Sequence, residues 1–367
     1  MKKQIQYALD GCSMFVVRHL HIGSRKTKNG QRTRSIPFVI VCALSAFHFP
    51  LSTFAQDPQL SQFYAAPLYL NPALTGNTTQ ERAILNYRMQ WTGIPKGFAT
   101  YAMSYDHRTD NMHHGYGIMV MRDQAGTHNL AFTHVDLNYA YEAPIDRKRS
   151  VRMGLKVGYT VRDYDPSNLL FADQVIRDNA PTSVEPGMIE RTSYLDIGAG
   201  GMYYTEQFWL GTSLSHLNRP QQSLMTDGDA RLPVRTSMHT GYRFPIDGKR
   251  MRRSSSFATL AAHYKAQGKW DQLDLGAYLT HHNLTGGMWY RGLPGIKAYA
   301  PGYPNDDAVI ALLGYETEKG IRFVYSYDLT ISWLGMKSGG AHEISITYEW
   351  PKRSPAKKFR AVPCPKF

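Results

Sequence analysis

The chain of 367 residues carries 42 Lys and Arg against 29 Asp and Glu, a formal net charge of +13. Only 19% of residues are charged, while Tyr numbers 24, Phe 15 and Gly 31, which excludes a disordered chain and a Lys/Glu-rich helical bundle. Mean hydropathy is −0.40 and no run of about 20 apolar residues is present, so the choice lies between a soluble β-rich protein and an outer-membrane barrel, whose alternating strands hide from hydropathy averages.

Residues 1–55 read as an export signal. A long basic leader, Met1 to Arg34, precedes the apolar run Ile36 to Phe47, and Ser52-Thr53-Phe54-Ala55 places small residues at −3 and −1 of a cut before Gln56. The leader is oversized, which leaves open a translation start after Met1. A lipoprotein reading on Cys42 is weakened by Val41, where a small residue belongs. Removal of 1–55 takes eight of the basic residues and one Asp, leaving 34 against 28. The basicity then belongs mostly to the signal, and a nucleic-acid partner loses its main support. Cys364 is the one cysteine that remains, so no intramolecular disulfide is expected.

Residues 56–80 are apolar but neither alternate nor follow a helical period. Pro58, Pro67 and Pro72 forbid a regular ladder. Phe63, Tyr64, Leu68, Tyr69 and Leu70 need burial, so this segment is expected inside a barrel as a plug or hatch.

From 81 to 350 the chain alternates. In Val151 to Arg162, Val151, Met153, Leu155, Val157, Tyr159 and Val161 interleave with Arg152, Gly154, Lys156, Gly158, Thr160 and Arg162, the period of a strand with one oily and one polar face. Segments near 82–91, 98–106, 115–122, 133–142, 193–204, 207–217, 235–244, 255–265, 271–280, 284–291, 308–315, 320–328 and 341–350 do the same, giving fourteen in all. Tyr87, Trp91, Tyr105, Tyr141, Tyr159, Tyr204, Phe208, Tyr242, Tyr327 and Trp350 fall near strand ends, where interfacial girdles belong. A β-sandwich also alternates. With the first strand running outward, however, the long connections (about 164–191, 218–234, 292–307 and 329–340) all fall at the outer end. That parity belongs to a barrel. The fold expected is therefore all-β: an antiparallel transmembrane barrel of about 14 strands, with Val151, Leu155 and Tyr159 toward lipid and Arg152 and Lys156 inside with Asp136 and Glu142.

Signals for chemistry are weak. His113-His114 and His281-His282 are adjacent pairs in inner turns, badly placed to share a metal. Ser215 and His216 face opposite ways along a strand, and 211–215 lacks the second glycine of a nucleophile elbow. Trp289-Tyr290-Arg291 reads as a girdle residue plus a lumen arginine rather than a ligand site. No phosphate loop and no Cys/His spacing occurs, so no catalytic, cofactor or metal residues are assigned.

Charge geography says more. Arg147-Lys148-Arg149 and Lys249, Arg250, Arg252 and Arg253 lie in inner connections, and residues 351–367 form a basic, Pro-rich tail with Lys357, Lys358, Arg360 and the apolar Phe359, Val362 and Phe367. The outer 164–191 connection leans acidic. Basic turns can simply keep inner loops soluble; the functional reading is a docking face for an acidic periplasmic partner.

The motifs along the mature chain resemble the PorP/SprF family of type IX secretion. The resemblance rests on QDPQLSQFYAAPLYLNPALTG at 56–76 and KKFRAVPCPKF at 357–367. Supporting stretches are YRMQW (87–91), ATYAMSYD (99–106), DQAGTHN (123–129), FADQ (171–174), YLDIGAGGMYY (194–204), LSHLNRPQQSL (214–224), WDQLDLGAYL (270–279) and GGMWYRGLP (286–294). It implies a FadL-like barrel in the outer membrane, contacting outer-membrane lipid, with a hatch carrying Asn71-Pro72-Ala73 and, before it, Gln62, Phe63, Tyr64 and Pro67. It further implies a part in exporting and retaining particular cargo such as adhesins, with gliding motility in some members. The other classes open to the sequence are a FadL-like transporter of small molecules and an outer-membrane hydrolase.

Overall fold

The computed structural model describes residues 57–350 except 96, 112, 127–129, 165–171, 178–190, 226–227, 250, 252, 294–297, 301–302 and 333–334. Contacts divide the chain into Met1–Thr53 and Phe54–Phe367, and every described residue belongs to the second unit. The export signal and the tail at 351–367 lie outside the described residues.

The strands in chain order are β1 (Glu81–Gln90), β2 (Phe98–Arg108), β3 (His114–Ala125), β4 (Leu130–Pro144), β5 (Arg149–Asp163), β6 (Thr192–Thr205), β7 (Phe208–Ser215), β8 (Arg235–Pro245), β9 (Ser256–Gln267), β10 (Trp270–His281) and β11 (Leu284–Gly292). They continue as β12 (Ala298–Ala300), β13 (Tyr303–Pro304), β14 (Asp306–Glu316), β15 (Ile321–Thr330) and β16 (Ala341–Glu349). Fourteen of them close into one antiparallel barrel, β16 pairing back onto β1 from Arg82↔Glu349 to Gln90↔Ala341. β12 and β13 form a separate two-stranded sheet in the β11–β14 connection.

The alternation sets the two faces. On β5, Met153, Leu155, Val157 and Tyr159 are 50–68% exposed, while Arg152 and Lys156 are 1% and 4% exposed. The outward set is the surface that meets lipid, where a charge at mid-depth costs about 2–4 kcal/mol. The inward set meets the lumen. Long connections gather at one end, and the turns at the other are as short as 206–207 and 282–283, the periplasmic end of such barrels.

Three details differ from the sequence reading. Tyr204 and Trp289 are buried in the lumen rather than standing in a girdle; each shares its strand face with an inward residue two positions away, Met202 and Arg291. β7 is only eight residues long and pairs with β6 over Ala199–Tyr204. Beyond it, Asn218 stands in for a strand: its Nδ2 donates to the Leu195 carbonyl (2.7 Å), and its Oδ1 accepts from the Ile197 amide (3.2 Å).

Candidate functional site

The lumen holds residues 57–76. The chain runs through a 3-10 turn at Phe63–Ala65, a helical turn at Pro67–Leu70 and a 3-10 turn at Pro72–Leu74. The prolines that exclude a ladder instead begin two of these turns, where a missing N–H costs nothing. Gln62, Phe63, Pro67, Asn71, Pro72 and Ala73 are buried and Tyr64 is half-buried, so all seven hatch-motif residues sit within the barrel.

Three sets of contacts join this segment to the wall. At its start, the Asp57 carboxylate meets His216 Nε2 at 2.7 Å and Arg235 at 2.8 Å, and His216 Nδ1 meets Asp196 at 2.8 Å. Burial opposes a charge on Asp57, but His216 and Arg235 outweigh it and hold the carboxyl well below the usual range. Burial likewise opposes a charged His216, and Asp57 and Asp196 raise its pKa above the ordinary imidazole value. His216 has φ 59°, a backbone turn that carries its ring inward just past β7.

The second set clamps Ser61 and Gln62. Their amides donate to the two oxygens of Glu343 (2.7 and 3.1 Å). Ser61 Oγ donates to Asp328 (2.5 Å) and accepts from Arg88 (2.6 Å) and Arg291 (2.8 Å). Arg88 also pairs with Asp328 and Glu343, and Arg291 with Asp328 and Asp274. The Gln62 side chain donates to the Glu343 carbonyl and Ser326 and accepts from Ser345. Each charge here has an opposite partner, the condition for keeping it out of water.

The third set receives Asn71-Pro72-Ala73. Asn71 Oδ1 accepts from the Ala73 amide at 2.9 Å, capping the turn, while its Nδ2 donates to the Gly201 and Thr212 carbonyls at 3.1 Å. Arg152 donates to the Ala73 and Thr75 carbonyls and pairs with Glu142. The wall gives way to the turn at two glycines: a Cβ on Gly154 would lie 2.3 Å from Ala73 N, and one on Gly200 would lie 2.0 Å from Asn71 Oδ1.

Between these sets the packing is aromatic. Phe63 meets Trp289 edge-on at 4.9 Å, and Tyr278 meets Trp289 at 5.3 Å. Leu70, Leu74, Met202, Tyr204, Trp209 and Ile310 complete the cluster. Edge-on rings of this kind contribute about 0.5–1.5 kcal/mol per pair beyond area burial.

Other candidates fall as follows. Lys249 and Arg253 are exposed in the β8–β9 turn, as are Arg147, Lys148 and Arg149 at the β4–β5 turn. Arg250, Arg252, Lys357, Lys358, Arg360 and Phe367 lie outside the described residues. Asp146 accepts from the Lys148 and Arg149 amides and the Arg149 side chain, which lowers its pKa. Ser215 and His216 do not pair with each other: Ser215 meets Arg235 instead. His134, Asp136 and Asp196 are close enough to share a cation, but Lys156, 3.9 Å from Asp136 and 3.3 Å from Asp196, already supplies positive charge there. Sequence reasoning missed Asp57, Ser61, Arg88 and His216. Alternation places Arg88 and Arg291 inside, yet nothing local indicates that Arg291 meets Ser61, 230 residues away.

The profile of the type IX secretion system membrane protein PorP/SprF matches residues 52–348. The chain belongs to the PorP/SprF family. As a member it is an outer-membrane component of type IX secretion and associates with other components of that system. No curated protein sequence matches the chain. Among solved structures it is similar to the Acinetobacter baumannii outer membrane protein Omp33 (8% identity, 75% of this chain and 100% of that one, TM-score 0.42). It is also similar to the Ralstonia pickettii toluene transporter TbuX (9%, 78% and 94%, TM-score 0.43) and to a Pseudomonas aeruginosa FadL homologue (13%, 77% and 93%, TM-score 0.42). The closed PorP/SprF barrel described above rests on its own strand pairing rather than on these likenesses.

Proposed function

We propose that this barrel assists export and surface retention of specific type IX cargo such as adhesins, and is not an enzyme. The observation that carries the reading is family membership across 52–348. The filled lumen supports it: a barrel whose interior is occupied from Asp57 to Gly76 is suited to holding partners at its two ends rather than to passing solute. In this reading residues 1–55 are removed as an export signal, 56–80 form the hatch, 81–350 the barrel, and 351–367 a periplasmic tail. Gliding motility is the phenotype that would follow where the cargo is a motility adhesin. Lys249, Arg250, Arg252 and Arg253, with Lys357, Lys358, Arg360 and Phe367 of the tail, form the face for an acidic, partly apolar periplasmic partner.

The test is purification of the chain from cross-linked cells, beside a variant with Lys249, Arg253, Lys357, Lys358 and Arg360 changed to Glu. The parent is expected to bring down type IX components, a secreted protein and a periplasmic protein that the variant loses. Recovery of the same set by both would reject the basic docking face; recovery of no secretion component would reject the whole reading. A small-molecule transporter is the second reading, favoured by a small cavity of about 60 Å³ beside the N-terminal segment, lined by Tyr64, Tyr278, Leu312 and Val324. Saturable solute uptake into proteoliposomes would support it.

A further inference from the structure

Two hairpins at the periplasmic end share a motif. Tyr141-Glu142-Ala143-Pro144-Ile145-Asp146-Arg147-Lys148-Arg149 joins β4 to β5, and Tyr242-Arg243-Phe244-Pro245-Ile246-Asp247-Gly248-Lys249-Arg250 leads from β8 toward β9. Tyr, Pro, Ile, Asp, Lys and Arg recur at the same six of nine places. The described residues of the two turns agree in structure as well. Tyr141 and Tyr242 are both 44% exposed, and Ile145 and Ile246 are 57% and 52% exposed. In each turn the aspartate accepts from the amide two residues on, Lys148 at 2.7 Å and Lys249 at 3.2 Å. Each isoleucine amide donates across the hairpin, to the carbonyl of Arg149 or of Ser256.

Turn chemistry accounts for part of this. Proline stops the ladder, and aspartate closes the turn on the backbone. Neither requires an isoleucine in water. The other inner turns, 109–113, 206–207, 282–283 and 317–320, contain no Ile, Leu or Val. Nor does the membrane explain it. Tyr141 and Tyr242 face outward at girdle level. Four residues further along a strand tilted by about 40°, each isoleucine stands ~10 Å beyond its tyrosine, past a headgroup layer of about 5–7 Å. The aspartates are engaged within the turns: Asp146 pairs with Arg149 at 2.7 Å, and Asp247 accepts from the Ser255 amide at 3.2 Å and lies 3.8 Å from Lys249. Arg147, Lys148, Lys249 and Arg253 are exposed around the isoleucines. An apolar side chain ringed by cations matches an apolar pocket rimmed by carboxylates.

We propose that these two hairpins are one docking element used twice, each seating its isoleucine in the same acidic site of a periplasmic protein that presents that site in at least two copies. The turns are four strands apart, about 19 Å around the wall at the usual strand spacing, with the short Glu206-Gln207 turn of β6–β7 between them. Two sites on one rigid wall hold a two-site partner more tightly than either site alone, because the first contact sets a high effective concentration for the second. The inference rests on the basic docking face proposed above and deepens it. It adds the β4–β5 turn, makes isoleucine the anchor, and gives the partner a valency of two or more.

The test replaces Ile145 or Ile246 of the full chain by the photo-cross-linking residue p-benzoylphenylalanine in intact cells, with Lys319 of the β14–β15 turn replaced as the control. Heat-modifiable migration establishes that each barrel is closed. Irradiation is expected to join both isoleucine positions, and not 319, to the same protein, recognised by mass spectrometry. Ile145→Ser and Ile246→Ser, each made alone, are expected to lower co-purification of that protein by roughly ten-fold or more. Different proteins at the two positions, an adduct at one position only, adducts to lipid alone, no adduct, or equal capture at 319 would overturn the proposal. Full recovery by either serine variant would overturn it as well. The docking face is judged separately by the charge-reversed chain. If that chain loses a periplasmic protein while 145 and 246 capture different proteins, the face stands and the shared element falls.

Discussion

Gly200 on β6 is a residue whose type makes little sense from strand preference alone. A β-branched side chain suits a strand better, yet the Cβ it would bring lies 2.0 Å from Asn71 Oδ1. Gly200→Val is therefore expected to leave the barrel closed and to push the Asn71 turn out of its seat. Overpacking of this kind costs roughly 1–3 kcal/mol. A Gln59→Cys reporter in a Cys364→Ser background should label several-fold faster in the Gly200→Val barrel; an unchanged rate would show that the turn does not depend on this gap. Asp57 and His216 add a pH signature. Asp57 is lowered below its unfolded value of about 4, so its contribution is present above that value and fades as pH falls. His216 is raised above about 6.5, so its contribution is present below that value and is lost as pH rises through the raised pKa. The same reporter should therefore be best protected between about pH 4 and 6.5. Loss of the alkaline limb in His216→Gln is the expected control, and a flat profile in the parent would contradict the assignment.

At the scale of elements, the fourteen barrel strands were legible because each side of the wall meets a different solvent. Lipid enforces one apolar face, and a shift of one residue would turn Arg152 and Lys156 into it. The long outer and short inner connections followed from the same topology. The apolar, proline-broken stretch at 56–76 also pointed inside. What was not legible was the wiring. Ser61 is gripped by Arg88 from β1, Arg291 from β11, Asp328 from β15 and Glu343 from β16, residues brought together only by barrel closure. Tyr204 and Trp289 were misread for a related reason. Their place near strand ends suggested a girdle, whereas the parity they share with Met202 and Arg291 puts them inside. If 57–76 is the seal, a chain lacking 57–74 that still assembles should conduct steadily in a planar bilayer while the parent conducts little. Equal conductance in the two would mean that the seal lies elsewhere in the lumen.

For the whole molecule, a barrel with residues 57–76 in its lumen, long loops on one side and basic turns on the other suits the adaptor role proposed above. Its wall is fixed by the membrane, its interior by the N-terminal segment, and its two ends are left for partners. That division fits a type IX secretion component, and on the proposed reading the chain's specificity lies in its ends rather than in a channel. The most direct measurement is quantitative surface proteomics of cells lacking this chain against cells complemented with it. The account predicts that one or a few type IX cargo proteins disappear from the surface while the rest stay at parental level. A surface proteome unchanged by the loss would contradict it.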